Sequence, residues 1–561
     1  MSLPDLVAAT RFGPVQGFTD THPVAVHSTA TLTSEGSCKP VNKWLGIPYA
    51  QANRWERPTD PDAWTDPKQC FEFGTMFPQP AGMTEQLLSG IPGFIMRSHI
   101  QQSEASHFVN VFAPADLGPD EKVPVMVYVY GGALNTGSSD RYFYDPTTLV
   151  RSQQGSSQRC IIVTANYRLN VFGFLASDDL SAQDPLGLSG NYGLYDVVKF
   201  LEWVQDNIGS FGGDKDRVTV FGQSAGAFLI AHLLVSGKRL FHRAILQSAA
   251  QKTMGMRPVS KAYPGLASIL DEISPDHKIP DSASERLHLL RSLSTTDLLN
   301  HHASRAGLEA VNLSIEPETA TTCIWNESTI DRLTRGDIDP WIESIVTGTT
   351  EDEGTVFAHA ANLTDPEKFE SWISRYEPST TERVRDKYVG QGQGKPYPAP
   401  GTCSLPDLPG SKLLADQIFV NPVWDLANAI KENGRHVWMY RLRSGVETIM
   451  QKAPFGILHS MDLPYVFKCD GLWNQDPDCA DAKTSNEMSS RWLEFAVTGH
   501  PGQGWNEFGK DPEWLVFEAA GSTKHESLQE FERTKIDLVF QDLKQQHEST
   551  GDKVLAATTE E

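Results

Sequence analysis

Residues 218–226 are Val-Thr-Val-Phe-Gly-Gln-Ser-Ala-Gly (VTVFGQSAG). Arg217–Phe221 (RVTVF) is a β-branched and aromatic run of the kind that forms a buried strand. Ala227–Val235 is a compact apolar stretch of helical length. Between them lies Gly222-Gln223-Ser224-Ala225-Gly226, a G-x-S-x-G. A chain that turns from strand to helix in so few residues gives its serine a strained backbone and leaves no room for side chains on either flank. That is the physical need for Gly222 and Gly226. The turn frees Ser224 Oγ at a helix N-terminus, where amide groups favour negative charge, so Ser224 is a candidate nucleophile.

Outward from this turn, Val123–Tyr130 (VPVMVYVY) and Cys160–Asn166 (CIIVTAN) read as strands buried on both faces. Ala244–Gln247, Ser344–Thr347 and His436–Leu442 follow, and Tyr192–Ile208 has apolar spacing of helical period. Strand and helix alternating at this rhythm predict an α/β fold with a mostly parallel central sheet and helices on both faces. The stretch from about 254 to 333 has helical patches and few strand signals, and reads as a helical insertion. Tyr130-Gly131-Gly132-Ala133-Leu134 follows a predicted strand. Its small residues let backbone N–H groups approach an oxyanion closely.

The chain has 561 residues with 48 Lys+Arg against 71 Asp+Glu, a net charge of −23. That charge, with a pI near 5.1, argues against nucleic acid or an anionic membrane as partner. No apolar run approaches the roughly 18 residues of a transmembrane helix. The N-terminus lacks the basic and apolar regions of a signal peptide. Seven cysteines, odd in number and scattered, form no metal-ligand cluster.

Successive blocks resemble the type-B carboxylesterase/lipase family, the group of carboxylesterases, cholinesterases and fungal lipases. They are GPVQGF near the start, WLGIPYAQ at Trp44–Gln51, YGGALNTGSS at Tyr130–Ser139, ANYRLNVFGFL at Ala165–Leu175 and GNYGLYDVVKFLEWVQDNIGSFGGD at Gly190–Asp214. The elbow, RAILQS, GTTEDEGTVF and FGILHSMDLPYVF come next, in the family's order. The resemblance runs from about Gly13 to about Glu518. It implies an α/β-hydrolase fold, read here as one catalytic domain over 1–548 with a flexible polar tail over 549–561.

The resemblance further implies a triad of Ser224 as nucleophile, Glu353 as acid and His459 as base, in the chain order of an α/β-hydrolase. By chemistry alone Glu351 and Asp352 rival Glu353, and the family's D-E-G pattern selects among them. The oxyanion hole maps onto the N–H groups of Gly132, Ala133 and Ala225, with Ala133 replacing the third glycine of the usual run. The chemistry is two-step acyl transfer on a small-molecule ester, with no metal and no organic cofactor. Two other readings stand beside ester hydrolysis. One passes the acyl group to a bound hydroxyl or thiol, as an acyltransferase, lactonising or thioester-releasing enzyme would. The other is a non-catalytic, cholinesterase-like binding protein, which the retained triad disfavours.

The family's pattern also breaks in places. Phe77 (MFPQ) and Ser106 (SEASHF) stand where many secreted relatives carry a disulfide pair, and a later family pair is missing too. Losing whole pairs fits a cytoplasmic lineage. The loop freed by the first loss, about residues 80–105 with Leu87–Met96 at its centre, reads equally as a mobile apolar lid or as a core-packing segment. It contains no Trp to hold choline by cation–π contact, so choline esters are disfavoured. Xenobiotic or secondary-metabolite esters are the expected substrates. Oligomeric state is not legible in the sequence.

Overall fold

The apolar run Val123–Val129 becomes a strand buried at every position, paired in parallel with a neighbour on each side. It belongs to a computed structural model that describes residues 6–21, 39–80, 101–140, 142–259, 280–305, 312–316, 324–390, 398, 403–473, 476–536 and 538. In chain order the central sheet comprises β1 (Phe18–Asp20), β2 (Val41–Pro48), β3 (Phe108–Pro114), β4 (Val123–Val129), β5 (Ile161–Ala165), β6 (Gly213–Gln223), β7 (Arg243–Gln247), β8 (Ser344–Thr350), β9 (His436–Leu442), β10 (Glu513–Phe517) and β11 (Thr523–Ser527). Across the sheet the order is β11-β10-β9-β8-β7-β6-β4-β5-β3-β2-β1. The strands from β10 to β5 in that order run parallel, and antiparallel strands finish both edges.

The predicted strands all form, and β6 and β8 run longer than their apolar cores. The edge strands were not predicted. β11 reads TKHES and is exposed at four of its five positions, so no apolar run announces it. Helices cover the parallel ladder. α1 (Tyr192–Asn207) and α2 (Ala225–Leu233) follow β5 and β6, and α3 (Asn421–Glu432) and α4 (Ala480–Thr498) follow β8 and β9. α2 packs on β6 and β7, α3 on β8 and β9, and α4 on β4 and β6.

One detail of strand order positions the site. The chain leaves β4 toward β5 on one side and leaves β6 toward β7 on the other, although β4 and β6 are neighbours. Their carboxyl ends therefore border a crevice, the place where open α/β sheets take their ligands.

The helical insertion contains Ala283–Ser292, Thr295–Arg305 and Thr329–Arg335. It also holds a small parallel pair, Met256–Pro258 with Leu313–Ile315, that the sequence does not announce. The proposed lid centred on Leu87–Met96 and the tail over 549–561 lie outside the described residues. At the positions of the lost disulfide, Phe77 packs edge-on against His107 at 4.9 Å. Ser106 meets Thr75 Oγ1 and donates to the Ser103 carbonyl, each at 2.7 Å. No helix among the described residues is long and apolar enough to cross a membrane.

Candidate active site

β6 runs straight into Ser224, and α2 begins at the next residue. Ser224 has φ 55° and ψ −128°, a backbone conformation that costs an L residue of order 1–3 kcal/mol. Its N–H donates to the Gln247 carbonyl at the end of β7 (2.8 Å), and its carbonyl accepts from the Phe228 N–H in α2 (2.9 Å). The two flanking glycines are required by contact. A Cβ on Gly226 would lie 2.0 Å from the Val129 carbonyl oxygen, and one on Gly222 would lie 2.7 Å from that same atom.

The chain leaving β4 forms the facing wall. A Cβ on Gly131 would stand 2.5 Å from the Gln223 carbonyl oxygen and 2.9 Å from Ser224 Cβ, so only a glycine lets this wall come up against the nucleophile elbow. Nothing in the sequence around Gly131 announces that role. Gly132, Ala133 and Leu134 then take φ of 116°, 54° and 62°. The N–H groups of Asn135 and Thr136 return to the Gly132 carbonyl at 2.9 and 3.1 Å, closing a tight turn. The structure thereby sets the turn carrying Gly132 and Ala133 against the elbow carrying Ser224 and Ala225.

The acid and base candidates meet from loops beyond β8 and β9. Glu353 is fully buried. Its Oε1 accepts the Thr350 N–H at 2.7 Å, and its Oε2 lies 2.5 Å from His459 Nδ1. On the far side of the imidazole, Nε2 is 3.1 Å from the Gln223 side-chain amide nitrogen, one residue before Ser224. With Nδ1–H given to Glu353, Nε2 is the acceptor of that amide. The Nε2 side of the ring thus lies against Gln223, beside the elbow. The rival carboxylates are engaged elsewhere. Glu351 pairs with Arg441 at 2.7 Å and Arg443 at 3.1 Å, and Asp352 accepts the Ile457 N–H at 2.7 Å.

Sequence reading missed two features around the histidine. Asp462 is fully buried, and its Oδ2 accepts from Gln247 Nε2 (2.9 Å) and the Tyr440 hydroxyl (2.8 Å). Gln247 Oε1 in turn accepts from Trp492 Nε1 at 3.2 Å, so one residue holds both the Ser224 backbone and the Asp462 side chain. Burial, reinforced by the nearby charge of Glu353, raises the Asp462 carboxyl above its ordinary 3.8. The second feature is aromatic. Phe419 and Phe357 lie 4.6 and 5.3 Å from the His459 ring, and 5.2 Å from each other. Phe419 sits on a π-helical turn, Ala415–Val420, that leads into α3. Such turns have no apolar period to betray them, and they recur at functional sites.

The match to known proteins is extensive. The carboxylesterase family model covers residues 6–546. The chain is 30% identical over 485 residues to para-nitrobenzyl esterase of Bacillus subtilis (strain 168), spanning 82% of this chain and 87% of that one. It is also 30% identical over 528 residues to fumonisin B1 esterase of Sphingopyxis macrogoltabida, spanning 90% and 88%. Among solved structures, a Geobacillus stearothermophilus carboxylesterase aligns with a TM-score of 0.72 at 26% identity, covering 95% of this chain and all of that one. The fold is therefore that of the α/β-hydrolases and the activity that of a carboxylic ester hydrolase: the chain belongs to the carboxylesterase family.

Proposed function

We propose that this carboxylesterase acts through a triad of Ser224, His459 and Glu353 on a fairly apolar ester. The observation that carries the proposal is the 2.5 Å contact between Glu353 and His459 Nδ1, which leaves Nε2 against Gln223, the residue before the strained serine. His459 takes the Ser224 proton as Oγ attacks the ester carbonyl. Glu353 holds the tautomer and stabilises the imidazolium. The N–H groups of Gly132, Ala133 and Ala225 receive the oxyanion, each such donor being worth about 10²–10³-fold in rate. The alcohol departs with the proton from His459. Water, deprotonated by the same nitrogen, then releases the acid and restores Ser224.

Phe357 and Phe419 support an apolar substrate, because they flank the group that protonates the leaving alcohol. The names of two relatives, para-nitrobenzyl esterase and fumonisin B1 esterase, support xenobiotic or secondary-metabolite esters, and two others are lipases of Geotrichum candidum, in keeping with an apolar acyl group. Cys70, Cys160, Cys403, Cys469 and Cys479 are free thiols, in keeping with a reducing, cytoplasmic setting. Burial pushes the thiols of Cys70 and Cys160 up to about 11 and about 12, which leaves them unreactive.

A fluorophosphonate probe tests the assignment. The intact protein is expected to label once, and Ser224→Ala not at all. An unlabelled wild type, or a Ser224→Ala protein that labels equally, overturns the triad. A series of p-nitrophenyl esters of increasing acyl length then reads the apolar preference as a rise in kcat/KM.

A further inference from the structure

Three consecutive residues beyond β8 grip three different partners. The Glu351 N–H donates to the Leu442 carbonyl at the end of β9 (3.0 Å). The Asp352 N–H donates to the Ile457 carbonyl (3.1 Å), and the Asp352 carboxylate accepts the Ile457 N–H (2.7 Å). The exchange extends into a single parallel bridge between Asp352 and Leu458. Glu353 then reaches His459. One residue thus exchanges two hydrogen bonds with a loop position only two residues before the base. Gly456 completes the arrangement: its φ is 71°, and a Cβ there would lie 2.2 Å from Asp352 Oδ2. A glycine is what lets the carboxylate lie across the loop.

We propose that Asp352 is a positioning residue that latches the acid loop to the histidine loop and so sets the register of His459 Nδ1 against Glu353. Glu353 and His459 are 106 residues apart, so no local geometry brings them together. The β8–β9 ladder aligns the two strands, and its last backbone hydrogen bond is the one from Glu351. The histidine loop continues well past Leu442, and the exchange between Asp352 and Ile457 ties it back to the acid. An acceptor oxygen at position 352 suffices for this, whether carboxylate or amide. The charged groups around it are Glu351, Asp407 and Arg441. None of them supplies a second acceptor for the Ile457 N–H, which Asp352 already takes.

The proposal rests on the triad reading, and its test separates the two. In Asp352→Ala, kcat on a p-nitrophenyl ester and the rate of fluorophosphonate labelling are expected to fall roughly 10–100-fold with KM little changed, as a displacement of about 1 Å in a catalytic group would produce. The far-downfield proton signal of the His459–Glu353 hydrogen bond should broaden or vanish. Asp352→Asn keeps the acceptor and should retain wild-type kcat, pH profile and signal. Gly456→Ala, which pushes the carboxylate away, should behave like Asp352→Ala. A folded Asp352→Ala enzyme with wild-type kcat and signal overturns the proposal, and so does a folded Asp352→Asn enzyme that loses kcat. That second outcome decides even where Asp352→Ala does not fold. A wild type that fails to label points instead to failure of the triad reading.

Discussion

The two halves of the site are built on opposite principles. On the elbow side, Ser224 is held by its own flanks and by neighbouring strands: two glycines within two residues, a strand before, a helix after, the Gln247 carbonyl of β7 and the β4 backbone pressed against them. On the acid–base side, the residues lie far apart in the chain and loops bring them together. Glu353 is held by Thr350, Asp352 by Ile457, and Asp462 by Gln247 and Tyr440. The first half is a constraint on folding, since a side chain at Gly226 has nowhere to go. The second is a constraint on assembly, where the fold tolerates change and the chemistry does not.

The sharpest way to separate the two is Glu353→Gln. The amide can still accept the Thr350 N–H, but it presents a donor to His459 Nδ1 and forces the wrong tautomer. Expected are a loss of about 10⁴-fold in kcat and a melting temperature close to wild type. A large drop in thermal stability would show that the acid–base side is also a folding constraint. Gly226→Ala is the mirror experiment. The added methyl meets the Val129 carbonyl at 2.0 Å, so stability should fall by about 3 kcal/mol or more, read by denaturant unfolding. A stable, active Gly226→Ala protein would break the comparison from the other end.

The smallest expected effect lies in the buried polar cluster behind the histidine. Asp462 holds its proton to a higher pH in the fold than in the unfolded chain, where 3.8 is ordinary. Its contribution to stability is therefore complete below the unfolded value and drains away as pH rises through the folded one. Asp462→Asn keeps the acceptor for Gln247 and Tyr440 and removes the ionisation. Its melting temperature relative to wild type should improve as pH rises above the ordinary carboxyl value of 3.8. A flat difference would mean that the carboxyl stays uncharged throughout, or is solvated when it ionises.

The same contrast explains what was legible in the sequence. The elbow could be read from nine contiguous residues because steric need writes itself into adjacent positions. The parallel strands were legible for a similar reason: burial on both faces demands unbroken apolar runs such as Val123–Val129. Glu353 could not be chosen over Glu351 and Asp352 by chemistry, and only family resemblance selected it. In space Glu353 faces His459, while Glu351 turns to two arginines and Asp352 to the Ile457 amide. Asp462 and Phe419 gave no signal at all. One is an acid whose partners come from β7 and β9, and the other owes its place to a π-helical turn.

The outer strand β11 has a consequence for how the molecule keeps its own company. A parallel sheet this apolar offers its last backbone edge to any extended chain it meets. Here that edge belongs to five residues, TKHES, with Lys524 and Glu526 in ion pairs to Glu518 and Arg443 and His525 Nδ1 set 2.7 Å from Glu513. A twelfth strand would have to settle beside those hydrated charges and find no apolar surface in return. Short length and paired charge make β11 a terminus in the growth of the sheet, guarding a concentrated solution of the enzyme against edge-to-edge aggregation.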